Sequence, residues 1–160
     1  MKKIILASQS PRRSQLLQWA EIPFEVIIAN TDESYPGYLP PQEIATHIAY
    51  NKALAVKEKI IEAKPNVKDY TILAADTIVV LNNAIIGKPS GREDAIQTLL
   101  GLSGKIHSVI TGVCILTKEK KVIFADETKV EFHTLSRQQV EYYVDNYKPY
   151  DKAGAYAIQE

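Results

Sequence analysis

At 160 residues, with 46% hydrophobic and 24% charged residues, the chain has the size and composition of one ordinary globular domain, not of a disordered or membrane-spanning protein. Lys plus Arg and Asp plus Glu each number 19, and this zero net charge argues against a function that needs a broad basic field, such as nucleic-acid binding. The single cysteine, Cys114, excludes an intrachain disulfide framework and a multi-cysteine metal site, and it suits a reducing compartment.

In chain order, the run Ile4-Ile5-Leu6 predicts a strand that ends in Ala7-Ser8-Gln9-Ser10-Pro11-Arg12-Arg13. Ser10 is placed to cap a helix over 11–20 with Pro11 at its first position, where a missing N–H costs nothing. Leu16, Leu17 and Trp19 are expected on its apolar side. The N-terminal apolar stretch is too short for a secretory signal and no run is long enough to cross a bilayer, so a cytoplasmic location is expected.

Residues 24–28 read as a second strand, which makes a strand-helix-strand unit and an α/β fold. A loop follows that carries the adjacent carboxylates Asp32 and Glu33, and then a long helix over 41–63. Ile44, Ala45, Ile48, Ala49, Ala53, Val56 and Ile60 form its buried stripe. Lys52 lies at the edge of that stripe, where a lysine by default reaches out to water.

The next strand, 70–75, ends at Asp76-Thr77 and leads into a hairpin whose turn is Asn82-Asn83, a pair that tolerates positive φ. Asp76 is a carboxylate within an apolar stretch. Such a charge is expensive unless paired, hydrogen-bonded or metal-bound, which makes it the most informative single residue. Gly87-Lys88-Pro89 sets a second lysine in a constrained turn. A helix over 92–102, strands over 107–116 and 122–134 joined by a charged tip, and a last helix over 137–146 capped by Ser136 complete the pattern. Asp151-Lys152-Ala153-Gly154-Ala155-Tyr156-Ala157-Ile158-Gln159 leads to the end.

The helix start at Ser8-x-Ser10-Pro11-Arg12-Arg13 combines hydroxyls, orphan amides, a helix dipole and two guanidinium groups, which together favour a phosphate. The plainer reading is a capped surface helix with two solvated arginines. With Lys52, Lys88 and Lys152 as cations and Asp32, Glu33, Asp76 and Asp151 as acids, the inventory is that of metal-assisted phosphate chemistry. No P-loop or G-x-G-x-x-G is present. His47, His107 and His133 are too scattered for zinc, and no nucleophile elbow supports a Ser8-His107-Asp76 triad.

The set Leu6-Ala7-Ser8-x-Ser10-Pro11-Arg12-Arg13, Ala75-Asp76-Thr77, Gly87-Lys88-Pro89, Ser103-Gly104-x-x-His107-x-Val109-x-Thr111-Gly112 and Asp151-Lys152-Ala153-Gly154-Ala155-Tyr156-x-Ile158-Gln159 resembles the Maf family. The resemblance implies an α/β fold like that of the inosine triphosphate pyrophosphatases, a mixed twisted sheet with flanking helices around a deep cleft. It also implies a nucleoside triphosphate pyrophosphatase that cuts between the α- and β-phosphates with a divalent metal, Mg²⁺ or alternatively Mn²⁺. By motif, Asp76 becomes the base or water-orienting carboxylate and a metal ligand, and Glu33 a second metal ligand. Ser8, Arg13, Lys52 and Lys88 become triphosphate contacts. Arg12, Thr77 and Gln159 stand where the family's dTTP and UTP branch differs from its 7-methyl-GTP branch, and a Gln side chain suits a uracil or thymine edge.

The expected substrate is therefore dTTP or UTP, with a modified purine nucleotide or a non-enzymatic role in septum formation as alternatives. No nucleic-acid or membrane partner is expected, and a homodimer is the default assembly. Residues 1–160 are expected to form a single Maf-like domain without the C-terminal strand and helix usual in the family, and Ala157 stands where glycine is common.

Overall fold

In the computed structural model, which describes residues 3–67 and 69–159, the elements run β1 (Ile4–Leu6), α1 (Pro11–Trp19), β2 (Phe24–Val26), α2 (Pro41–Ala63), β3 (Thr71–Leu81), β4 (Ala84–Ile86), α3 (Arg92–Leu102), β5 (Ile106–Thr117), β6 (Lys121–Glu131) and α4 (Arg137–Tyr147), followed by a 3₁₀ turn at Ala153–Ala155. The strands form one mixed sheet of six in the order β2-β1-β3-β5-β6, with β4 beside β3. β1 is parallel to β2, with Ile4 opposite Phe24, and parallel to β3, with Ile5 opposite Ile72; β3 and β4 are antiparallel. The expected α/β class with a mixed sheet is what the chain adopts.

The chain divides into two compact units, residues 1–76 with 111–126 and residues 77–110 with 127–160. In the first, the α2 stripe packs on the sheet: Ala49, Ala53, Val56 and Ile60 share a core with Ile5, Ala7, Tyr70, Ile72, Ala74, Cys114 and Leu116. Alanines at four-residue spacing keep that helix face thin. Gly112 of β5 completes the approach, because a Cβ there would overlap the backbone of Ala45 and Thr46. Cys114 is fully buried, and burial pushes its thiol up, so it serves as a core residue. In the second unit, Ala95, Ile96 and Leu99 of α3 pack with Val140 and Val144 of α4 and with Ala155.

Some local expectations change. Ser10 makes no side-chain cap; instead its amide donates to Ser8 Oγ at 3.2 Å, while Pro11 does start α1. Leu16 and Trp19 are 60% and 70% exposed and only Leu17 of α1 is buried. The reason is helical phase: Arg13 and Leu17, four residues apart, take the inward face, and Trp19 lies nearly opposite. β3 does not end at Asp76 but continues to Leu81. The turn after it is as expected, with Asn82 and Asn83 at φ of 50° and 64°. β2 and β6 are shorter than predicted, although Ile27 N–H still donates to Leu6 and Phe132 N–H to Lys105. Ser136 caps α4 in a full capping box with Gln139.

Candidate active site

β1 and β3 run parallel, and the amide of Ala7 donates to the Leu73 carbonyl at 2.8 Å, so the loop after β1 lies beside the stretch of β3 that leads to Asp76. That loop turns sharply because Ser8 Oγ receives the Ser10 amide, and Pro11 then starts α1 with Arg13 directed inward. Arg13 Nη1 donates to Ser8 Oγ at 3.0 Å and to the Ala75 carbonyl at 2.9 Å. One guanidinium thus joins the loop, the helix and the central strand. Burial weakens its hold on the proton, and the negative charges of Asp76 and Glu33 oppose that shift.

From the other side comes α2. Its alanine face is pressed to the sheet, which brings Lys52, next to Ala53, over β3. Lys52 Nζ lies 2.7 Å from Asp76 Oδ1 and 2.9 Å from Glu33 Oε1. The expectation that this lysine reaches water by default is thereby overturned: only 19% of its side chain is exposed, because two carboxylates hold it inward. Asp76 is 14% exposed. Its carboxyl titrates above the ordinary aspartate range, chiefly because burial penalises the charge; Lys52 and Arg13 pull it back and Glu33 adds to the rise.

The neighbouring carboxylate, Asp32, is spent locally. Its two oxygens accept from the Ser34 amide and hydroxyl, each at 2.9 Å, and these bonds lower its pKa. Glu33 is thus the loop acid that reaches the site. Within the first unit the fold therefore gathers Ser8, Arg13, Lys52, Asp76 and Glu33. Arg12 is half-buried, and its charge is felt at Arg13. The pattern can bind a polyanion through two cations and a hydroxyl, and it holds a poised carboxylate beside them.

Thr77, Lys88 and Gln159 belong to the second unit. Thr77 is half-buried in β3, whereas Lys88 and Gln159 are exposed. The Gly154 amide donates to the Gly87 carbonyl at 3.1 Å, which ties the Lys88 turn to the segment that leads to Gln159. Gly154 has φ of +70°, and a Cβ there would meet Val79 Cγ2 at 2.9 Å, so only glycine fits this crossing without strain. Sequence reasoning did not foresee the Ala75 carbonyl as the acceptor for Arg13, since a backbone acceptor has no residue signature. Nor did it foresee a bond between His107 Nε2 and the Tyr156 hydroxyl at 2.7 Å. A polar residue inside the apolar run of β5 was the available signal, the same one that marked Asp76.

Residues 3–160 match the model of the Maf-like protein family. The dTTP/UTP pyrophosphatase of Bacillus cereus (strain G9842) is 46% identical over 159 residues, covering 99% of this chain and 80% of that protein. The dTTP/UTP pyrophosphatase of Parabacteroides distasonis is 48% identical over the same length, covering 99% of this chain and 79% of its own. Among solved structures, the Staphylococcus aureus Ham1 protein aligns with a TM-score of 0.46 at 13% identity, over 81% of this chain and 71% of that one. With the family model matched from Lys3 onward and nearly half of all residues shared with such relatives over 99% of its length, the chain belongs to the Maf family.

Proposed function

We propose that this protein hydrolyses dTTP and UTP to the monophosphate and pyrophosphate. The observation that carries the chemistry is the buried Asp76 carboxylate, held by Lys52 at 2.7 Å within the same unit as Arg13. Its raised pKa makes it a stronger base than a free aspartate while the adjacent cations keep it ionised for use. Asp76 holds the attacking water and takes its proton. Arg13, steadied by Ser8 and the Ala75 carbonyl, and Lys52 receive the phosphate oxygens as charge builds there. By its motif, Lys88 is assigned to the triphosphate, and Arg12, Thr77 and Gln159 to the choice of base.

Two carboxylates, Glu33 and Asp76, converge on the Lys52 ammonium, a cation already seated between hard oxygen donors. Among the described residues no cluster of three or more His, Cys, Asp or Glu forms a closed metal cage. Two carboxylates fit Mg²⁺, or Mn²⁺ in its place, since Mg²⁺ is usually held by one or two carboxylates with water and substrate phosphates. When bound there, the metal would neutralise phosphate charge and polarise the anhydride. Glu33 and Asp76 are the residues assigned to hold it.

The related names of the relatives support the pyrimidine substrate, as does Gln159, whose amide can both donate to and accept from a uracil edge. We assign a cytoplasmic setting and a homodimeric assembly with no nucleic-acid partner. Among the described residues no helix is long and apolar enough to cross a membrane. The test is incubation with Mg²⁺ and UTP, dTTP, CTP, ITP or 7-methyl-GTP, with products resolved by chromatography and Asp76→Asn as control. UMP and dTMP with pyrophosphate, lost in the variant, support the assignment. Diphosphate with orthophosphate, or turnover of purine nucleotides alone, overturns it.

A further inference from the structure

The second unit contains a polar pair that the proposed chemistry leaves without a role. His107, on β5, is 2% exposed, and its Nε2 meets the Tyr156 hydroxyl at 2.7 Å. The rings of His107, Phe132 and Tyr156 stand edge to face around one another, with centroids 4.8 to 5.5 Å apart. His107 Nδ1 is buried and has no hydrogen-bond partner. A histidine kept only for packing is a poor choice, because an aromatic hydrocarbon would fill the space without leaving a polar atom unpaired. The fold keeps the imidazole for what Nε2 holds.

Tyr156 lies three residues before Gln159. On either side of it the chain is pinned again: the Ala157 amide donates to the Tyr143 hydroxyl of α4 at 3.2 Å, and the Gly154 amide donates to Gly87. Between these points Ala155 is fully buried with φ of 59°, a left-handed conformation that an alanine holds only when its surroundings dictate it. Ile158 and Gln159 are exposed. The last side chain tied into the unit before Gln159 is therefore the Tyr156 ring, and its polar anchor is His107.

We propose that His107 and Tyr156 are a positioning pair that sets the place of Gln159 for reading the pyrimidine base. This rests on the base-reading role given to Gln159 above. The His107–Tyr156 bond fixes the ring, the ring fixes the extended backbone at Tyr156, and the backbone limits where the Gln159 amide can reach. Preorganisation of this kind lowers the ordering cost of binding and leaves the chemical step untouched.

The test uses the whole chain and four variants: Tyr156→Phe, which keeps the ring and loses the hydroxyl; His107→Asn, which keeps a hydrogen-bonding amide; Gln159→Ala; and Tyr156→Phe with Gln159→Ala. Readouts are kcat and KM for UTP, and inhibition by tripolyphosphate, which has no base. The loss of one neutral hydrogen bond predicts a KM for UTP raised about fivefold in Tyr156→Phe, with kcat and tripolyphosphate inhibition held. The double variant should add nothing to Gln159→Ala, since both act through one contact. His107→Asn should fall between the parent and Tyr156→Phe. An unchanged KM in Tyr156→Phe beside a raised KM in Gln159→Ala overturns the pairing alone, as do additive effects or a parallel loss of tripolyphosphate inhibition. An unchanged KM in Gln159→Ala overturns the base-reading role and the pairing with it.

Discussion

Around Asp76, in the first unit, the polar groups are ionised and neutralise one another: Lys52 bridges Asp76 and Glu33, and Arg13 reaches Ser8 and the Ala75 carbonyl. Around His107, in the second, they are neutral and enclosed by aromatic rings, with burial lowering the pKa of the imidazole and raising that of Tyr156 to about 12. The contrast teaches where each kind of buried polar group is useful. Charges held under strain of desolvation are poised to exchange partners with a charged ligand, whereas a neutral pair exchanges nothing and is suited to holding a backbone in place.

The largest expected effect comes from breaking the charged region at its centre. Asp76→Asn should lower kcat by about a thousandfold, within the range for loss of a general base, while thermal unfolding moves little. Retained turnover would remove Asp76 from catalysis. Next, Lys52→Met should cost about a hundredfold in kcat/KM. Because Lys52 holds the Asp76 pKa down, its loss should also move the acid limb of the pH–rate profile to higher pH. A limb that stays in place would show that another group governs it.

Stability separates the two regions further. Gly112→Ala should destabilise by about 3 kcal/mol, at the top of the usual range for overpacking, since its Cβ meets backbone that cannot rotate away. Because Gly112 seats the helix that carries Lys52, activity should fall with it; denaturant unfolding and kinetics on one sample check both. Ser136→Ala removes the α4 cap and should cost about 1 kcal/mol without a change in KM.

The smallest expected effect is the pH dependence from His107. Its folded pKa is depressed below the ordinary 6.5, so the unfolded chain binds the extra proton more readily. The contribution to stability is complete above pH 6.5 and is lost as the pH falls from there through the folded value. His107→Asn should flatten that part of the stability profile, measured by urea unfolding at several pH values. Asp76 acts in the opposite sense: its raised pKa means the native state keeps a proton that the unfolded chain has released, so its contribution declines as the pH rises from about 4 through the folded value.

Much of this was legible in the residues. Asp76 stood out because an acid in an apolar run needs a partner, Pro11 because it suits the first position of a helix, and Asn82-Asn83 because few pairs accept positive φ twice. These are local rules, acting within a few residues of chain, so sequence alone determined the α/β pattern, the helix and hairpin boundaries to within a few residues, and that the Asp76 carboxylate needed a partner. The fate of Lys52 was different. Position on the helix favours water; only the approach of α2 over Gly112, and of Glu33 from a distant loop, turned the lysine inward. Likewise one acceptor of Arg13 is a carbonyl 62 residues away, and the partner of His107 is a hydroxyl 49 residues away. Such pairings depend on which elements the packing brings together, a property of the whole chain that no local spacing encodes, and so only the tertiary structure decided them.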